Sequence, residues 1–240
     1  EKVDIPTYKP IIRGHMGQIR KALNALLDSA RPLILVGGGV VLSDASELMN
    51  RFARLTGIPV ISTLMGLGGF RGSDRKFLGM AGMHGTLEAN YALQNSEVLI
   101  NFGSRMEDRL VSNVPDFESR PRTVIHIDVD PSSISKRVKA QIPIVGDVKS
   151  VLADMVSLLE EEDYRQNTEL LTPWWNQIDE WRSRKSLDYP ADSKSIMPEA
   201  LVEKVQAAAP ADTIYTTDVG EHQMYAAQYL KLDEPRHFPR

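Results

Sequence analysis

Five short segments that read as strands constrain the fold of this chain more than any other feature of its sequence. The segments lie at residues 31–41, 58–63, 97–104, 122–130 and 142–147. The first contains a continuous apolar run, which is typical of a strand buried on both faces of a parallel sheet. Apolar residues recur at helical spacing between and around them, at residues 14–28, 43–57, 86–96 and 148–162. This alternation predicts an α/β fold with a doubly wound, mostly parallel sheet.

Residues with capping chemistry mark several of the predicted helix ends. Ser43 is the candidate N-cap of one helix, Gly57 is its candidate C-cap, and Thr86 opens the next helix. A hydroxyl can accept a hydrogen bond from the first helical turn, and glycine tolerates the left-handed conformation that ends many helices. These residues therefore support the helices that the spacing predicts.

The sequence changes character three times, and these changes suggest domain boundaries. Residues 1–13 contain two prolines and no period, which predicts a linker. Residues 14–162 hold the predicted sheet, and residues 163–194 combine a polar stretch with a helix. Residues 195–240 show a helix, a strand over residues 213–220 and another helix. We expect this last part to open a second α/β domain, so the chain reads as a piece of a longer protein.

Three tryptophans, Trp174, Trp175 and Trp181, lie on the helix predicted over residues 174–185. Such a cluster could pack within the core or between domains, or it could stack on a ligand. Indole rings bury a large area when they pack, so packing is the favoured interpretation.

Composition excludes several classes of function. The net charge of −4 leaves no basic footprint for nucleic acid. No apolar run is long enough to cross a bilayer, and the N-terminus lacks a signal-peptide pattern. The chain has no cysteine, which excludes disulfides, thiolate metal sites and cysteine nucleophiles. We therefore expect a cytoplasmic protein with neither a nucleic-acid nor a membrane partner.

Glycine and polar residues follow each predicted strand. They lie at residues 37–39, 62–69, 102–109, 127–131 and 146–148. In an open parallel sheet, ligands bind beyond the carboxyl ends of the strands. Glycines let the backbone approach a ligand, and Asp128 or Asp130 could accept hydrogen bonds from a ribose. Their common location predicts a ligand-binding edge.

Each feature also has a purely structural interpretation. The glycines at residues 37–39 could form only a tight turn, because they do not match the GxGxxG pattern. Asp128 and Asp130 could cap a short helix over residues 132–136. His84, taken alone, could be a hydrogen-bonded structural histidine. Surface ion pairing is the alternative for four charged residues, Arg105, Glu107, Asp108 and Arg109.

Three longer segments carry a resemblance to a known family. They are "LGMAGMHGTLEANYALQNSEVLINFGSRMEDR", "HIDVDPSSISKRVKAQIPIVGD" and "TTDVGEHQM". Together they resemble the large catalytic subunits of the acetolactate synthase family, the flavin-dependent branch of the thiamine-diphosphate decarboxylases. The resemblance covers nearly the whole chain. It implies a Rossmann-like central domain that binds FAD, followed by the start of the C-terminal domain that holds thiamine diphosphate and Mg²⁺.

The resemblance implies a set of FAD-contacting residues at the ends of the predicted strands. Gly103 and Arg105 would lie on the diphosphate side, and Asp128 and Val129 on the adenosine side. The other positions that it implies for FAD are Gly37, Gly38, Gly39, Thr63, Leu64, Met65, His84, Gly85, Gly146 and Asp147.

The resemblance also assigns two residues to substrate recognition. Met83 resembles the residue that shapes the pocket for the second 2-ketoacid, and Arg109 the arginine that recognises that acid. A guanidinium offers a carboxylate two parallel donors, and the unbranched Met side chain adapts to either a methyl or an ethyl group. The glycines around Met83 would let this loop approach the flavin.

In the C-terminal part, Gly220, Glu221 and His222 match positions that hold thiamine diphosphate in the family. Family members often carry Gln in place of Glu221. A carboxylate would repel the diphosphate, so Glu221 would bind through its backbone N–H or point away. No catalytic residue and no metal ligand is expected within this chain, and the chain alone is expected to be inactive.

The implied activity is the decarboxylation of pyruvate and its condensation with a second 2-ketoacid, pyruvate or 2-ketobutyrate, for branched-chain amino acid synthesis. The implied partners are these substrates, further copies of the chain in a dimer or tetramer, and a small regulatory subunit. Two alternatives stay open: another FAD-containing carboligase of the glyoxylate carboligase type, and a non-catalytic nucleotide-binding module.

Overall fold

A six-stranded sheet, all of its strands parallel, forms the centre of the molecule. The computed structural model describes residues 10–161, 164, 167–190 and 195–238. The strands are β1 (Pro32–Val36), β2 (Val60–Ser62), β3 (Phe77–Met80), β4 (Val98–Phe102), β5 (Thr123–Asp128) and β6 (Ile142–Val145). The predicted α/β class and parallel sheet are therefore confirmed.

The strand order β3-β2-β1-β4-β5-β6 places the two halves of the sheet on either side of β1. The chain runs outward from β1 to β3, then returns to pair β4 with the other edge of β1. The long β1–β4 ladder pairs Pro32 with Val98 and Val36 with Phe102. Ligands of doubly wound sheets bind where the strand order reverses, so β1 and β4 mark the expected position of a site.

Helices cover both faces of the sheet. They are α1 (Met16–Leu27), α2 (Gly38–Leu42), α3 (Ser46–Thr56), α4 (Leu87–Asn95), α5 (Val114–Ser119), α6 (Val148–Glu161), α7 (Thr168–Ser183), α8 (Pro198–Ala208) and α9 (Glu221–Tyr229). On one face α1, α3 and α6 pack on alternate strand residues, and on the other face α4, α5 and α7 do the same. Because each strand has apolar residues on both faces, both layers bury a core.

Two of the predicted caps are confirmed and one is wrong. Gly57 ends α3 in the left-handed conformation, with φ of +66°. The Thr86 hydroxyl accepts a hydrogen bond from the Ala89 N–H at 3.2 Å. Ser43 instead follows α2, a short helix that the sequence did not predict, and α3 begins at Ser46 without a side-chain cap.

Strand β3 was missed because it is short and interrupted by glycine. It is four residues long, contains Gly79 with φ of +101°, and pairs with β2 through an irregular register. As the edge strand it buries only alternate residues, Leu78 and Met80. An edge strand of this length leaves little signal in the sequence.

The tryptophan cluster is part of the core, as predicted. Trp174 donates its indole N–H to the Pro32 carbonyl at 3.0 Å, and its ring meets Trp181 edge-on at 5.6 Å. Trp175 donates to the carbonyl of Gly57 at 3.0 Å. Helix α7 begins six residues before the predicted start at Trp174, and it contains Pro173.

Two further sequence expectations are wrong. Residues 213–220 form no strand, and the Tyr215 N–H donates to the carbonyl of His237, a residue in no strand, at 2.8 Å. A strand needs a paired neighbour, and no strand lies beside this segment within the described part of the chain. Residues 132–136 form turns instead of a helix.

Some predictions lie partly outside the described residues or stay untested. The linker over residues 1–13 is described only from residue 10, and the boundaries near residues 162 and 194 adjoin residues that the structure leaves out. The four-part domain division therefore stays a prediction. No helix in the described ranges is long and apolar enough to cross a membrane.

Candidate functional site

A cavity of about 900 Å³ lies at the carboxyl ends of the strands, across β1 and β4. The segments that follow all six strands contribute to its wall, and residues just before and within α9 close one side. This is the position that the strand order predicts for a ligand. The predicted residues that line it are Gly38, Gly39, Thr63, Leu64, Met65, Met83, His84, Gly103, Arg105, Arg109, Asp128, Val129, Asp147 and Gly220.

The glycines after β1 serve the packing of two loops as well as the cavity. A Cβ on Gly37 would overlap the Gly103 carbonyl oxygen, and a Cβ on Gly39 would lie 2.7 Å from the Gly103 Cα. The Gly39 N–H also donates to that carbonyl at 3.0 Å. The β1 and β4 loops can therefore touch only because these positions lack side chains. Gly37 lies behind the wall, whereas Gly38 and Gly39 line it.

After β2, a single 3-10 turn (Leu64–Gly66) presents apolar side chains to the cavity. The Thr63 N–H bonds to the Val36 carbonyl at 2.9 Å, which ties this turn to the end of β1. Met65 is 54% exposed although it is apolar. An exposed apolar side chain at a cavity mouth is suited to contact with a planar apolar ligand.

The loop after β3 contains the predicted Met83 and His84. Both side chains are exposed and line the cavity. Gly85 does not line it, because it packs against the backbone of Met80 and Ala81, where a Cβ would overlap. The predicted close approach at Gly85 is therefore an approach to protein backbone.

The loop after β4 carries the two predicted arginines. Arg105 forms an ion pair with Glu107 at 2.6 Å, and both side chains are more than half exposed. Such an exposed pair contributes little stability, so it leaves Arg105 free to exchange partners. Arg109 is exposed, lines the cavity and forms no ion pair with any described residue. The structural alternative of ion pairing thus holds for Arg105 and not for Arg109.

Acidic residues follow β5 and β6. Asp128 is 9% exposed, and its Oδ1 accepts the Asp130 N–H at 2.9 Å. The Asp130 carboxylate accepts the Ser132 hydroxyl and N–H, which lowers the pKa of Asp130. Asp130 therefore caps a turn, where the structural alternative predicted the cap of a helix. Asp147 lines the cavity while its carboxylate also accepts the Ser150 N–H at 3.1 Å, at the start of α6.

Gly146 has a packing role. A Cβ there would lie 2.8 Å from the Gly14 nitrogen, so this glycine lets the chain before α1 cross the end of β6. Gly146 does not line the cavity in the described structure.

The C-terminal part meets the cavity through α9. Gly220, the residue before α9, lines the wall, whereas Glu221 and His222 are exposed and do not line it. The Gln228 side chain donates to the His84 carbonyl at 2.8 Å and joins α9 to the loop after β3. Of the three positions matched to thiamine diphosphate, only Gly220 reaches this cavity.

Several lining residues were not named individually as ligand contacts in the sequence analysis. They are Leu42, Ser43, Met80, Ala81, Ser104, Met106, Glu107, Leu110, Ser133, Val148, Val219, Gln223 and Met224. Most follow a strand by one to six residues, so the rule about strand ends could have found them. The contribution of α9 had no signal, because it depends on how the chain folds back.

A buried histidine lies beneath the β4 and β5 loops. His126 is 1% exposed and stands opposite Asn101 in the β4–β5 ladder. Neither ring nitrogen has a hydrogen-bond partner among the described residues. Burial lowers the pKa of His126, and Asp128 and the Ser104 backbone act in the opposite direction. The ring is therefore neutral near pH 7.

Metal ligation has no support within the described ranges. They contain no group of three or more histidine and acidic side chains that could hold an ion. What the site offers is glycine backbone, apolar Met and Leu side chains, arginines on one wall and a largely buried carboxylate on another.

Comparison with known families shows which family has this arrangement of strands. Residues 19–155 match the family model described as "Thiamine pyrophosphate enzyme, central domain". The chain belongs to this family. The match covers the six strands and every wall of the cavity except that formed by the C-terminal part.

Curated relatives extend the comparison to nearly the whole chain. The acetolactate synthase large subunit of Haemophilus influenzae is 44% identical over 99% of the chain and 41% of its own length. The isozyme 3 large subunit of Escherichia coli is 42% identical over 98% of the chain and 41% of its own length. An acetolactate synthase of Mycobacterium leprae is 41% identical over 98% of the chain and 37% of its own length. The chain thus spans about two fifths of the relatives it matches.

Proposed function

We propose that this chain is the central part of an acetolactate synthase large subunit. The complete protein would decarboxylate pyruvate and join the remainder to a second 2-ketoacid, pyruvate or 2-ketobutyrate, for branched-chain amino acid synthesis. The observation that supports this best is the cavity at the β1–β4 reversal, where the Met83 loop and Arg109 share one wall. The relatives named acetolactate synthase, at 41–44% identity, support the same activity.

FAD is the cofactor that we propose for the cavity. The volume of the cavity, about 900 Å³, lies in the range of cofactor pockets. Asp128 could accept ribose hydroxyls, Gly38, Gly39 and Gly103 could pass close to the diphosphate, and Arg105 could balance its charge. The apolar side chains of Met65 and Met83 could pack on the flavin ring. Because no redox-active side chain lies among these residues, we propose that the flavin organises the site.

Arg109 and Met83 would recognise the second substrate. The Arg109 guanidinium could bind the acid's carboxylate with two parallel hydrogen bonds, and it has no described acidic partner to displace. Met83, 60% exposed, could adjust to a methyl or an ethyl group. These residues bind and orient the acceptor, and neither moves a proton.

Thiamine diphosphate and Mg²⁺ complete the proposal. When bound, the thiazolium ring supplies the electron sink for decarboxylation. Only Gly220 of this chain would approach it from the cavity side, and Glu221 and His222, both exposed, would contribute through backbone contacts or not at all. We also propose a homodimer or tetramer, a small regulatory subunit and a cytoplasmic location, which the cysteine-free sequence favours.

The test uses the full-length protein. After incubation with FAD and desalting, retained flavin absorbance is expected, together with acetolactate from pyruvate and acetohydroxybutyrate when 2-ketobutyrate is added. Flavin retention with product only from glyoxylate would favour the other carboligase. Flavin retention without any carboligation would leave a nucleotide-binding module, and a folded protein without flavin would refute the proposed site.

Arg109→Ala tests the substrate role. We expect the KM for the acceptor to rise by roughly tenfold or more, because a charge-assisted hydrogen-bond pair is lost, with flavin retention unchanged. Arg109→Lys should recover part of the affinity, since lysine keeps the charge and loses the fork. Arg71→Ala, which removes an exposed arginine outside the cavity lining, serves as the control. An unchanged acceptor KM in Arg109→Ala would contradict the assignment.

A further inference from the structure

The side-chain amide of Asn90 pairs with both backbone polar groups of a single residue, Gly82. Asn90 Oδ1 accepts the Gly82 N–H at 2.8 Å, and Asn90 Nδ2 donates to the Gly82 carbonyl at 3.0 Å. Asn90 lies in the first half of α4 and is half-buried. Two hydrogen bonds from one planar amide fix both the position and the orientation of the residue they hold.

The backbone after Gly82 is held at further points. The Met83 N–H donates to the Arg109 carbonyl at 2.9 Å, the Gly85 N–H to the Gly82 carbonyl at 3.0 Å, and Gln228 to the His84 carbonyl at 2.8 Å. The Met83 and His84 side chains nevertheless stay exposed. The loop is therefore a fixed backbone that presents free side chains to the cavity.

Gly82 also touches the loop that carries Arg109. Its φ is +109°, and a Cβ would overlap the Arg109 carbonyl oxygen. Together with the Met83–Arg109 hydrogen bond, this close approach makes the positions of Met83 and Arg109 depend on each other. Asn90 is the side chain that holds Gly82 in this contact from the α4 side.

We infer that Asn90 is a positioning residue, whose amide sets the distance between Met83 and Arg109 and thereby the size of the acceptor pocket. This inference rests on the proposed function, because it takes Met83 and Arg109 as the residues that touch the acceptor. Asn90 itself is absent from the cavity lining among the described residues, so it acts through the loop.

A second asparagine makes the same kind of contact and shows why Asn90 is the better position to test. Asn101 accepts the Ser104 N–H at 3.1 Å and donates to the Ser104 carbonyl at 2.6 Å. Asn101 is fully buried, so its replacement would leave unsatisfied polar groups in the core. Asn90 is only half-buried, and its loss exposes Gly82 to water.

Amide hydrogen exchange provides the first test, and it does not depend on activity. In full-length Asn90→Ala, exchange across residues 82–85 should accelerate by roughly tenfold or more, because the Gly82 N–H loses its acceptor. Asn95→Ala is the matched control: it lies on the same helix, and its amide bonds to the Tyr91 carbonyl away from the loop. Unchanged exchange in Asn90→Ala would overturn the inference.

Steady-state kinetics on the same variants separate positioning from a merely structural role. In Asn90→Ala, the KM for 2-ketobutyrate should rise by roughly tenfold, while kcat with saturating acceptor and the amount of retained flavin change less than about twofold. Asn95→Ala should match the unmodified protein. Faster loop exchange with an unchanged KM would mean that Asn90 only stiffens the loop, and would overturn the positioning role.

Asn90→Asp adds a readout that depends on pH. The carboxylate can still accept the Gly82 N–H, but it repels the Gly82 carbonyl that Asn90 Nδ2 approaches. Protonation restores a donor, so the ratio of variant to unmodified KM should fall as the pH is lowered toward the carboxyl pKa of about 4. A ratio independent of pH would contradict the two-bond geometry.

Failure of the proposed function would have a different signature. The unmodified full-length protein would then form no product from 2-ketoacids, and the positioning role would fall with the function. The exchange comparison between Asn90→Ala and Asn95→Ala would still decide whether Asn90 holds the loop.

Discussion

The central sheet and the C-terminal part of this chain bury their apolar residues to different degrees. In the sheet, β1 and β4 are buried at every position, with helices on both faces. In the C-terminal part, α8 is described over its whole length and has no buried residue, and Leu201 and Val205 on it are about half exposed. An apolar pattern can therefore specify a helix without specifying what covers it.

The contrast is not complete, because α9 and the residues after it pack against the first part of the chain. Ala226, Ala227 and Leu230 form a small cluster with Leu67 and Met80 at the edge of the cavity. Backbone hydrogen bonds extend this contact: the Gly72 N–H donates to the Leu232 carbonyl at 2.9 Å. Stability is thus expected to decrease from the sheet to α9 and then to α8.

Replacing the largest fully buried side chain should show the greatest difference between the two regions. Trp174 is 1% exposed, and Trp174→Ala removes both its packing and its hydrogen bond to Pro32. We expect the free energy of unfolding to fall by about 3–5 kcal/mol. Leu201→Ala, on the exposed face of α8, should change it by about 0.5 kcal/mol or less. Denaturant unfolding of both variants measures these changes in the free energy of unfolding. Equal decreases in the two variants would refute the difference in burial between the sheet and α8.

Gly37→Ala tests the loop contact that shapes the cavity. Its Cβ would collide with the Gly103 carbonyl, a backbone group that cannot move without shifting the end of β4. We expect the free energy of unfolding to fall by about 1–3 kcal/mol and the protein to retain less flavin. In Gly38→Ala the nearest atom is the Met65 Cβ at 3.1 Å, a contact that a shift of a few tenths of an ångström would relieve. The free energy of unfolding should therefore fall less in Gly38→Ala than in Gly37→Ala. A greater fall in Gly38→Ala would contradict the proposed close contact between Gly37 and Gly103.

Thr86→Ala removes the cap of α4. The Thr86 hydroxyl accepts the Ala89 N–H and donates to the Leu78 carbonyl at 2.6 Å. Loss of both hydrogen bonds should lower the free energy of unfolding by about 1–2 kcal/mol. Thr86→Ser, which keeps the hydroxyl, should recover most of this stability. Thermal unfolding of the two variants would detect the difference. If Ser were no better than Ala, methyl packing would account for the effect.

His126 should give the smallest of these effects, a dependence of stability on pH. Because burial lowers its pKa, the unfolded chain binds a proton more readily than the folded one. The free energy of unfolding should therefore fall as the pH drops below the unfolded value of about 6.5, until the lower folded pKa is reached. His126→Gln should flatten this part of the profile. Identical profiles for both proteins would show that His126 does not contribute.

Sequence patterns predicted the layers of the fold better than its edges. Segments rich in apolar and β-branched residues marked five strands, whereas the short, glycine-containing β3 alternates between buried and half-buried residues and was missed. The segment at residues 213–220 shows the opposite error: its residues favour a strand, but no neighbour pairs with it in the described structure. Pairing is a tertiary property, so local sequence cannot decide it.

The candidate site was predicted mainly through the strand-end rule and the family resemblance. Gly37, Gly85 and Gly146 were expected at a ligand, and in the structure each packs against protein backbone. A glycine pattern shows that something comes close without showing what it is. Gln223 and Met224 were missed because α9 reaches the cavity only through the fold.

The sequence by itself determined the α/β class, the strands with apolar runs and the edge at which a ligand would bind, because these depend on local periodicity and on the direction of parallel strands. Only the tertiary structure decided which glycines contact backbone, that Arg109 lies beside Met83 and that Asn90 holds the loop between them. Those relations join residues whose distances follow from packing, which no local pattern encodes.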